Sequence, residues 1–305
     1  MLILILILLI GFKRYYGQDN WAILLCSSRY YFNYRHFVNT LSVYKALKAS
    51  GYTDEKIILL NSQVDVLGNS RNPLPHKIKS NIGVTFFNDS QFSIDVDYIG
   101  EEVTVEAFLR LLIDRVSNTN ISLKRLNSNH KSNIFIYMTG HGGDEFFKFQ
   151  DNEELSAQEL GFAFEEMKSK DRYNQVLIMI DTCQASTMCN YITSPNIVCV
   201  GSSQKGENSY SYLPDSELGL PLMDRYTYLL SDYILKYSNT KSFKEISIKQ
   251  LIDSFDLQFV QSNPVIFRSP GTLPVNKIKF SDFFPLDTNY LITKDSPYIF
   301  DSIFN

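Results

Sequence analysis

A chain of 305 residues with 44% hydrophobic and 20% charged residues has a globular composition and enough apolar material for a sizeable core. Disordered, collagen-like and coiled-coil classes are excluded. Its 29 basic and 33 acidic residues leave a net charge of −4, so no overall positive field draws in nucleic acid.

Four cysteines (Cys26, Cys183, Cys189, Cys199) without a CxxC pair are too sparse for a small disulfide framework. The histidines His36, His76, His130 and His141 form no HExxH-type cluster, so a closed structural zinc site is not indicated.

Leu2–Ile10 is an unbroken run of nine leucines and isoleucines, too short to span a bilayer but suited to the apolar region of a signal peptide. Residues 1–17 are therefore expected to be a secretory leader, although Lys13 and Arg14 follow the run and no clear A-x-A site is present. The other reading of that run, a buried strand, would be an aggregation hazard at a free terminus. No later run approaches the ~18 apolar residues of a membrane-spanning helix, so the mature chain is expected to be lumenal and soluble. The sequons at Asn88 and Asn120 fit that compartment.

Trp21–Cys26, Lys56–Leu60, Asn133–Thr139, Gln175–Asp181 and Ile197–Ser203 read as strands. Between them Tyr34–Ala49, Val103–Val116 and Ala157–Lys168 repeat apolar residues at helical spacing, the pattern of crossovers onto a mostly parallel sheet. Ile134–Met138 and Val176–Ile180 are continuously hydrophobic, as central strands buried on both faces should be. From about Ser238 the pattern loosens, with one short helix near Ile248–Ser254, and this stretch reads as an appendage. One α/β domain over 18–284 and a tail over 285–305 follow.

Ligands and catalytic groups gather beyond the carboxyl ends of parallel strands. There stand Thr139-Gly140-His141-Gly142-Gly143 after one central strand and Asp181-Thr182-Cys183-Gln184-Ala185 after the other. The glycines permit a sharp turn that exposes the imidazole and frees amide donors. A cysteine at a strand-to-helix turn lies near amides that favour its thiolate. Singly, each residue is more simply a turn histidine or a buried thiol, but the two together at strand ends form a nucleophile and base.

TGHGG followed forty-two residues later by DTCQAS resembles the legumain and GPI-anchor transamidase family of caspase-like cysteine peptidases. SRYYFNYRH (Ser28–His36), NTLSVY (Asn39–Tyr44), RNP (Arg71–Pro73), VTVE (Val103–Glu106), KFQD (Lys148–Asp151), SPN (Ser194–Asn196) and MDRYT (Met223–Thr227) extend the likeness from about Asn20 to Phe284 and resemble the transamidase branch. The resemblance implies a caspase-like three-layer α/β sandwich. It implies Cys183 as nucleophile, His141 as acid and base, Asn33 as support for His141, and the amides of Gly142 and Cys183 as oxyanion donors.

The implied activity is that of a GPI transamidase catalytic subunit. A proprotein is cleaved near its carboxyl terminus through a thioester, and the new end passes to the ethanolamine amine of a GPI lipid. A legumain-like asparaginyl endopeptidase is the alternative, and a scaffold subunit with a caspase-like fold the third. Also implied are a calcium ion at Asp54, the Ile57 backbone, Asp95 and Asp97, structural rather than catalytic, and partner subunits at the endoplasmic reticulum membrane.

Some relatives have a carboxyl-terminal membrane helix that this sequence does not show, so attachment is expected through partners or an uncleaved leader. Gly68 stands where some relatives use a cysteine for a disulfide to a partner, so that link is expected to be absent. Cys26, Cys189 and Cys199 are expected to be packing thiols.

Overall fold

Strands that are unbroken hydrophobic runs in the sequence occupy the middle of a seven-stranded sheet, because only there are both faces covered. The computed structural model describes residues 19–285 except 64–65, 67–68, 74–77, 83–93, 95, 117–122 and 239. The expected leader, the tail beyond 285, Gly68, Asp95 and both sequons lie outside the described residues.

In chain order, the strands of the main sheet are β1 (Asp19–Cys26), β2 (Ile57–Asn61), β3 (Tyr98–Ile99), β4 (Ser132–Thr139), β8 (Gln175–Asp181), β9 (Ile197–Gly201) and β10 (Val265–Arg268). Between β4 and β8 lie β5 (Gly142–Gly143), β6 (Phe146–Phe149) and β7 (Glu153–Ser156), which form a small antiparallel side sheet. The main sheet runs β10-β9-β8-β4-β1-β2-β3, with every pair parallel except β10 on β9.

Successive side chains of each strand point to opposite faces. Leu24, Phe135, Tyr137, Leu177 and Met179 pack with helix α1 (Tyr34–Ala49) on one face. Ile23, Leu25, Ile134, Ile136, Ile178 and Ile180 pack with α2 (Val105–Leu112) and α3 (Ala157–Ser169) on the other. This is the expected three-layer sandwich, in which each fully buried aliphatic contributes roughly 1.5–3 kcal/mol.

Local chemistry sets the helix ends. Ser156 caps α3 in a reciprocal box with Glu159, and Thr104 caps α2 by accepting from the Ala107 amide at 3.0 Å. The helix expected over Val103–Val116 stops at Leu112 because Asp114 turns into the left-handed region at φ 58°.

Two features depart from expectation. The side sheet is too short to leave a pattern of its own in the sequence. The stretch from Ser238 is no appendage: Phe280, Phe283 and Phe284 are fully buried, and the Phe283 carbonyl accepts from the hydroxyl of buried Tyr52. This segment closes the α1 face together with α4 (Arg225–Tyr237), α5 (Lys241–Glu245) and α6 (Ile248–Asp253). No helix among the described residues is long and apolar enough to cross a membrane.

Candidate active site

Adjacent parallel strands in register deliver their following residues to the same place. Thr139 pairs with Asp181 across β4 and β8, so Gly140-His141 and Thr182-Cys183 leave the same sheet edge side by side. Gly142 is fixed by close approach: a Cβ there would lie 2.8 Å from both the Phe146 carbonyl oxygen and Thr182 Oγ1. Any side chain at 142 would push apart the turn carrying His141 and the residue before Cys183.

Asn33 begins this architecture's support of the imidazole. It is buried at the start of α1; its Nδ2 donates to the Arg29 carbonyl at 2.8 Å, leaving Oδ1 to face His141 Nε2, also at 2.8 Å. The acceptor character of Oδ1 puts the imidazole proton on Nε2 and leaves Nδ1 with a lone pair. Burial, then the positive charge of Arg35, holds the His141 pKa below the ordinary histidine value. The neutral ring is thus the resting form at neutral pH, as a general base requires.

Cys183 is a free, half-buried thiol, whereas Cys26 is fully buried and its thiol is pushed up to about 12 by burial. Past Cys183 the chain enters a left-handed residue, Gln184 at φ 54°, and then a short 3-10 turn, Ala185–Cys189. The turn is tied down by Gln184 N to the Glu207 carbonyl at 2.9 Å, and by Ala185 N and Ser186 N to Ser203. Cys189 and Cys199, expected to be packing thiols, are instead joined in a buried disulfide. It links the end of this turn to β9, and ten residues of separation carry no sign of it in the sequence.

Behind the strand ends lies a buried polar web that sequence reasoning missed. Arg35 Nε donates to Asp224 Oδ1 at 3.1 Å, and Asn39 Nδ2 donates to Asp224 Oδ2 at 2.6 Å and to Thr139 Oγ1 at 3.1 Å. Ser209 and Thr227 donate to the two oxygens of Asp181, at 2.6 and 2.5 Å. Burial, then the charge of Asp181, pushes the Asp224 pKa up. The MDRYT segment does start a helix at Asp224, but the carboxylate makes no cap and turns inward to Arg35 and Asn39. This web stiffens the strand ends from which His141 and Cys183 project.

The model of the peptidase C13 family matches residues 20–263. The chain belongs to the peptidase C13 family. Among curated relatives, the GPI-anchor transamidase of Saccharomyces cerevisiae is 41% identical over 283 residues, 92% of this chain and 67% of that protein. The GPI-anchor transamidase of Homo sapiens is 48% identical over 225 residues, 73% of this chain and 56% of that protein. A putative GPI-anchor transamidase of Caenorhabditis elegans is 38% identical, covering 87% of this chain and 82% of that one. Among solved structures, caspase-1 from Spodoptera frugiperda aligns over 87% of this chain and 94% of its own, at 12% identity and a TM-score of 0.48. The caspase-like class expected of a C13 peptidase stands.

Of the residues suggested for calcium, the described carboxylates Asp54 and Asp97 are engaged with ammonium groups. The Asp97 carboxylate takes the Leu59 amide at 2.8 Å and Lys124 Nζ at 3.1 Å. Lys124 also donates to the Asp54 backbone carbonyl, and the Asp54 carboxylate is taken by Tyr44 and by Lys48 at 2.8 Å. Ile57 begins β2 between them. Divalent calcium needs six to eight oxygens turned toward one point. As folded, Asp54, Ile57 and Asp97 do not offer such a set, because a lysine ammonium bridges Asp97 and the Asp54 carbonyl.

Proposed function

We infer that this chain is the catalytic subunit of a GPI-anchor transamidase, acting as a cysteine-peptidase-like enzyme. The observation that carries the reading is the placement of a neutral, Asn33-held His141 and a free Cys183 on the ends of neighbouring strands. The family match and the names of its relatives agree with this chemistry.

Cys183 attacks the carbonyl of a small residue near a proprotein carboxyl terminus as His141 Nδ1 takes the thiol proton. The tetrahedral oxyanion is held by the amides of Gly142 and Cys183; the latter donates to no carbonyl or side chain among the described residues. The C–N bond breaks, His141 returns the proton to the departing amine, and a thioester remains. The ethanolamine amine of a GPI lipid then attacks the thioester, His141 takes a proton from it, and the C–S bond breaks to release Cys183. Acyl transfer of this kind needs no metal-bound intermediate.

The compartment is the endoplasmic reticulum lumen, with the first 17 residues as leader and partner subunits holding the chain at the membrane. The buried disulfide supports an oxidising compartment. A legumain-like asparaginyl endopeptidase is not favoured by the relatives' names.

The test is mass spectrometry of a model proprotein incubated with hydrazine and either the wild-type or the Cys183→Ala complex. A hydrazide on a small residue, formed by wild type alone, is the expected product. Cleavage after asparagine to a free acid without hydrazide would make the chain a protease, and no product from either complex would make it a scaffold.

A further inference from the structure

Residues that the nucleophile chemistry leaves unused, from three sequence motifs, meet at one place. Arg29, Tyr30 and Phe32 of SRYYFNYRH, Arg71 of RNP and Gln150 of KFQD line an open cavity of about 750 Å3. It lies beyond the carboxyl ends of β1, β2 and β3, on the sheet edge that also bears His141 and Cys183. Asn33 joins cavity to site, since its Nδ2 holds the Arg29 carbonyl while its Oδ1 holds His141.

The cavity wall carries polar groups without partners. The Arg71 guanidinium forms no ion pair among the described residues. Arg29 reaches Glu101 at only 3.3 Å and Asn152 at 3.4 Å, and its Nε–H has no acceptor. Gln63 and Gln150, 4% and 5% exposed, line the same cavity, and the carboxamide oxygen of each has no donor. An unsatisfied buried polar group costs roughly 1–3 kcal/mol, which applies to Arg29 Nε and the two carboxamide oxygens, while the Arg71 side chain is exposed and open to a ligand.

The rim adds apolar surface and strain. Tyr30 and Phe32 are half exposed and stacked with centroids 6.0 Å apart, and the Arg29 guanidinium lies 4.9 Å over the Tyr30 ring. Tyr30 is held at φ 72° and ψ 144°, a positive-φ conformation that a bulky aromatic residue adopts only under constraint.

Guanidinium groups recognise phosphate, and the Glu101 carboxylate beside Arg29 attracts an ammonium entering the same cavity. The complementary ligand carries both charges: a phosphate ester of a primary amine. We propose that this cavity seats the ethanolamine phosphate of the acceptor, with Arg71 and Arg29 on the phosphate, and delivers its amine to His141 from the Asn33 side. The proposal rests on the transamidase reading. In the step it serves, the amine nitrogen bonds to the thioester carbonyl, one amine proton passes to His141, and the C–S bond breaks. The His141 proton then returns to the Cys183 sulfur.

The test uses the assembled complex with a thioester-forming model proprotein and three acceptors: glycerophosphoethanolamine, ethanolamine and hydrazine. Wild type is expected to use the phosphodiester at lower KM than ethanolamine. Arg71→Ala is expected to cut kcat/KM for glycerophosphoethanolamine at least tenfold more than for hydrazine, chiefly through KM, with partial rescue by Arg71→Lys.

Equal losses for both acceptors, or no loss, would overturn the proposal, as would dissociation of the variant from its subunits, which would make the cavity a protein contact. A GPI lipid run alongside should lose activity in parallel with glycerophosphoethanolamine; a loss confined to the lipid would overturn assignment to the headgroup. Failure of wild type to form any hydrazide would instead sink the transamidase reading itself.

Discussion

Asn33 Oδ1 faces His141 Nε2 at 2.8 Å, and its own Nδ2 is committed to the Arg29 carbonyl, so the side chain cannot flip without losing both bonds. The pair fixes which imidazole nitrogen carries the proton. Asn33→Ala should therefore lower kcat about 10²-fold, ~2.7 kcal/mol, by freeing the ring to take other orientations. Thioester formation by rapid quench, with circular dichroism to verify folding, measures this; unchanged kcat in a folded variant would remove Asn33 from the mechanism.

The pH profile should follow from the same pair. Burial and Arg35 lower the His141 pKa, so its neutral form persists below pH 6.5 and the acid limb of kcat/KM should have its midpoint under that value. Asn33→Asp places a carboxylate beside the ring, which favours imidazolium and should move the limb upward by about a unit. Stability carries a related sign. His36 is fully buried with its pKa well below the ordinary value, so its contribution is present above pH 6.5 and is lost as pH falls through 6.5 toward the folded-state pKa. A limb that stays put in Asn33→Asp would show that this contact does not control the titrating group.

The cysteines should separate by chemistry. Native alkylation with iodoacetamide is expected to label Cys183 and spare buried Cys26, whose thiol is pushed up to about 12, while Cys189 and Cys199 appear as one linked peptide before reduction. For a loop of this length the chain-entropy model gives a disulfide contribution of about 3 kcal/mol. Cys189→Ser with Cys199→Ser should then lower Tm by several degrees and reduce activity, because the bond anchors the turn that follows Cys183. Free thiols at 189 and 199 in denatured, unreduced protein would contradict the pairing.

The sequence revealed what local pattern determines. The central strands were legible because Ile134–Met138 and Val176–Ile180 are apolar at every position, and α1 because its period holds without a break from Tyr34 to Ala49. The candidate residues His141 and Cys183 followed from those strands, since parallel topology determines where a strand end points. Asp224 was not legible: a carboxylate before a helix looks like a cap, and only the tertiary approach of α1 turns it toward Arg35 and Asn39. β10 was missed because Val265–Arg268 is only partly buried, and the Phe280–Phe284 closure because prolines and turns interrupt any period before it.

Lys124 supplies the last prediction. Its ammonium bridges the nearly buried Asp97 carboxylate and the Asp54 carbonyl, joining the segment before α2 to the entrance of β2. A divalent cation there would have to displace that ammonium and pay its removal from two charged or polar partners. Chelation with EDTA is thus expected to leave the wild-type Tm unchanged. Lys124→Met should cost about 2 kcal/mol by withdrawing a cation from Asp97, and added calcium should restore part of the lost Tm by taking its place. Scanning calorimetry of both forms in the complex, with and without EDTA and calcium, separates the two arrangements. A wild-type Tm that falls several degrees on chelation would mean that the ion, and not Lys124, occupies the oxygens of Asp54 and Asp97.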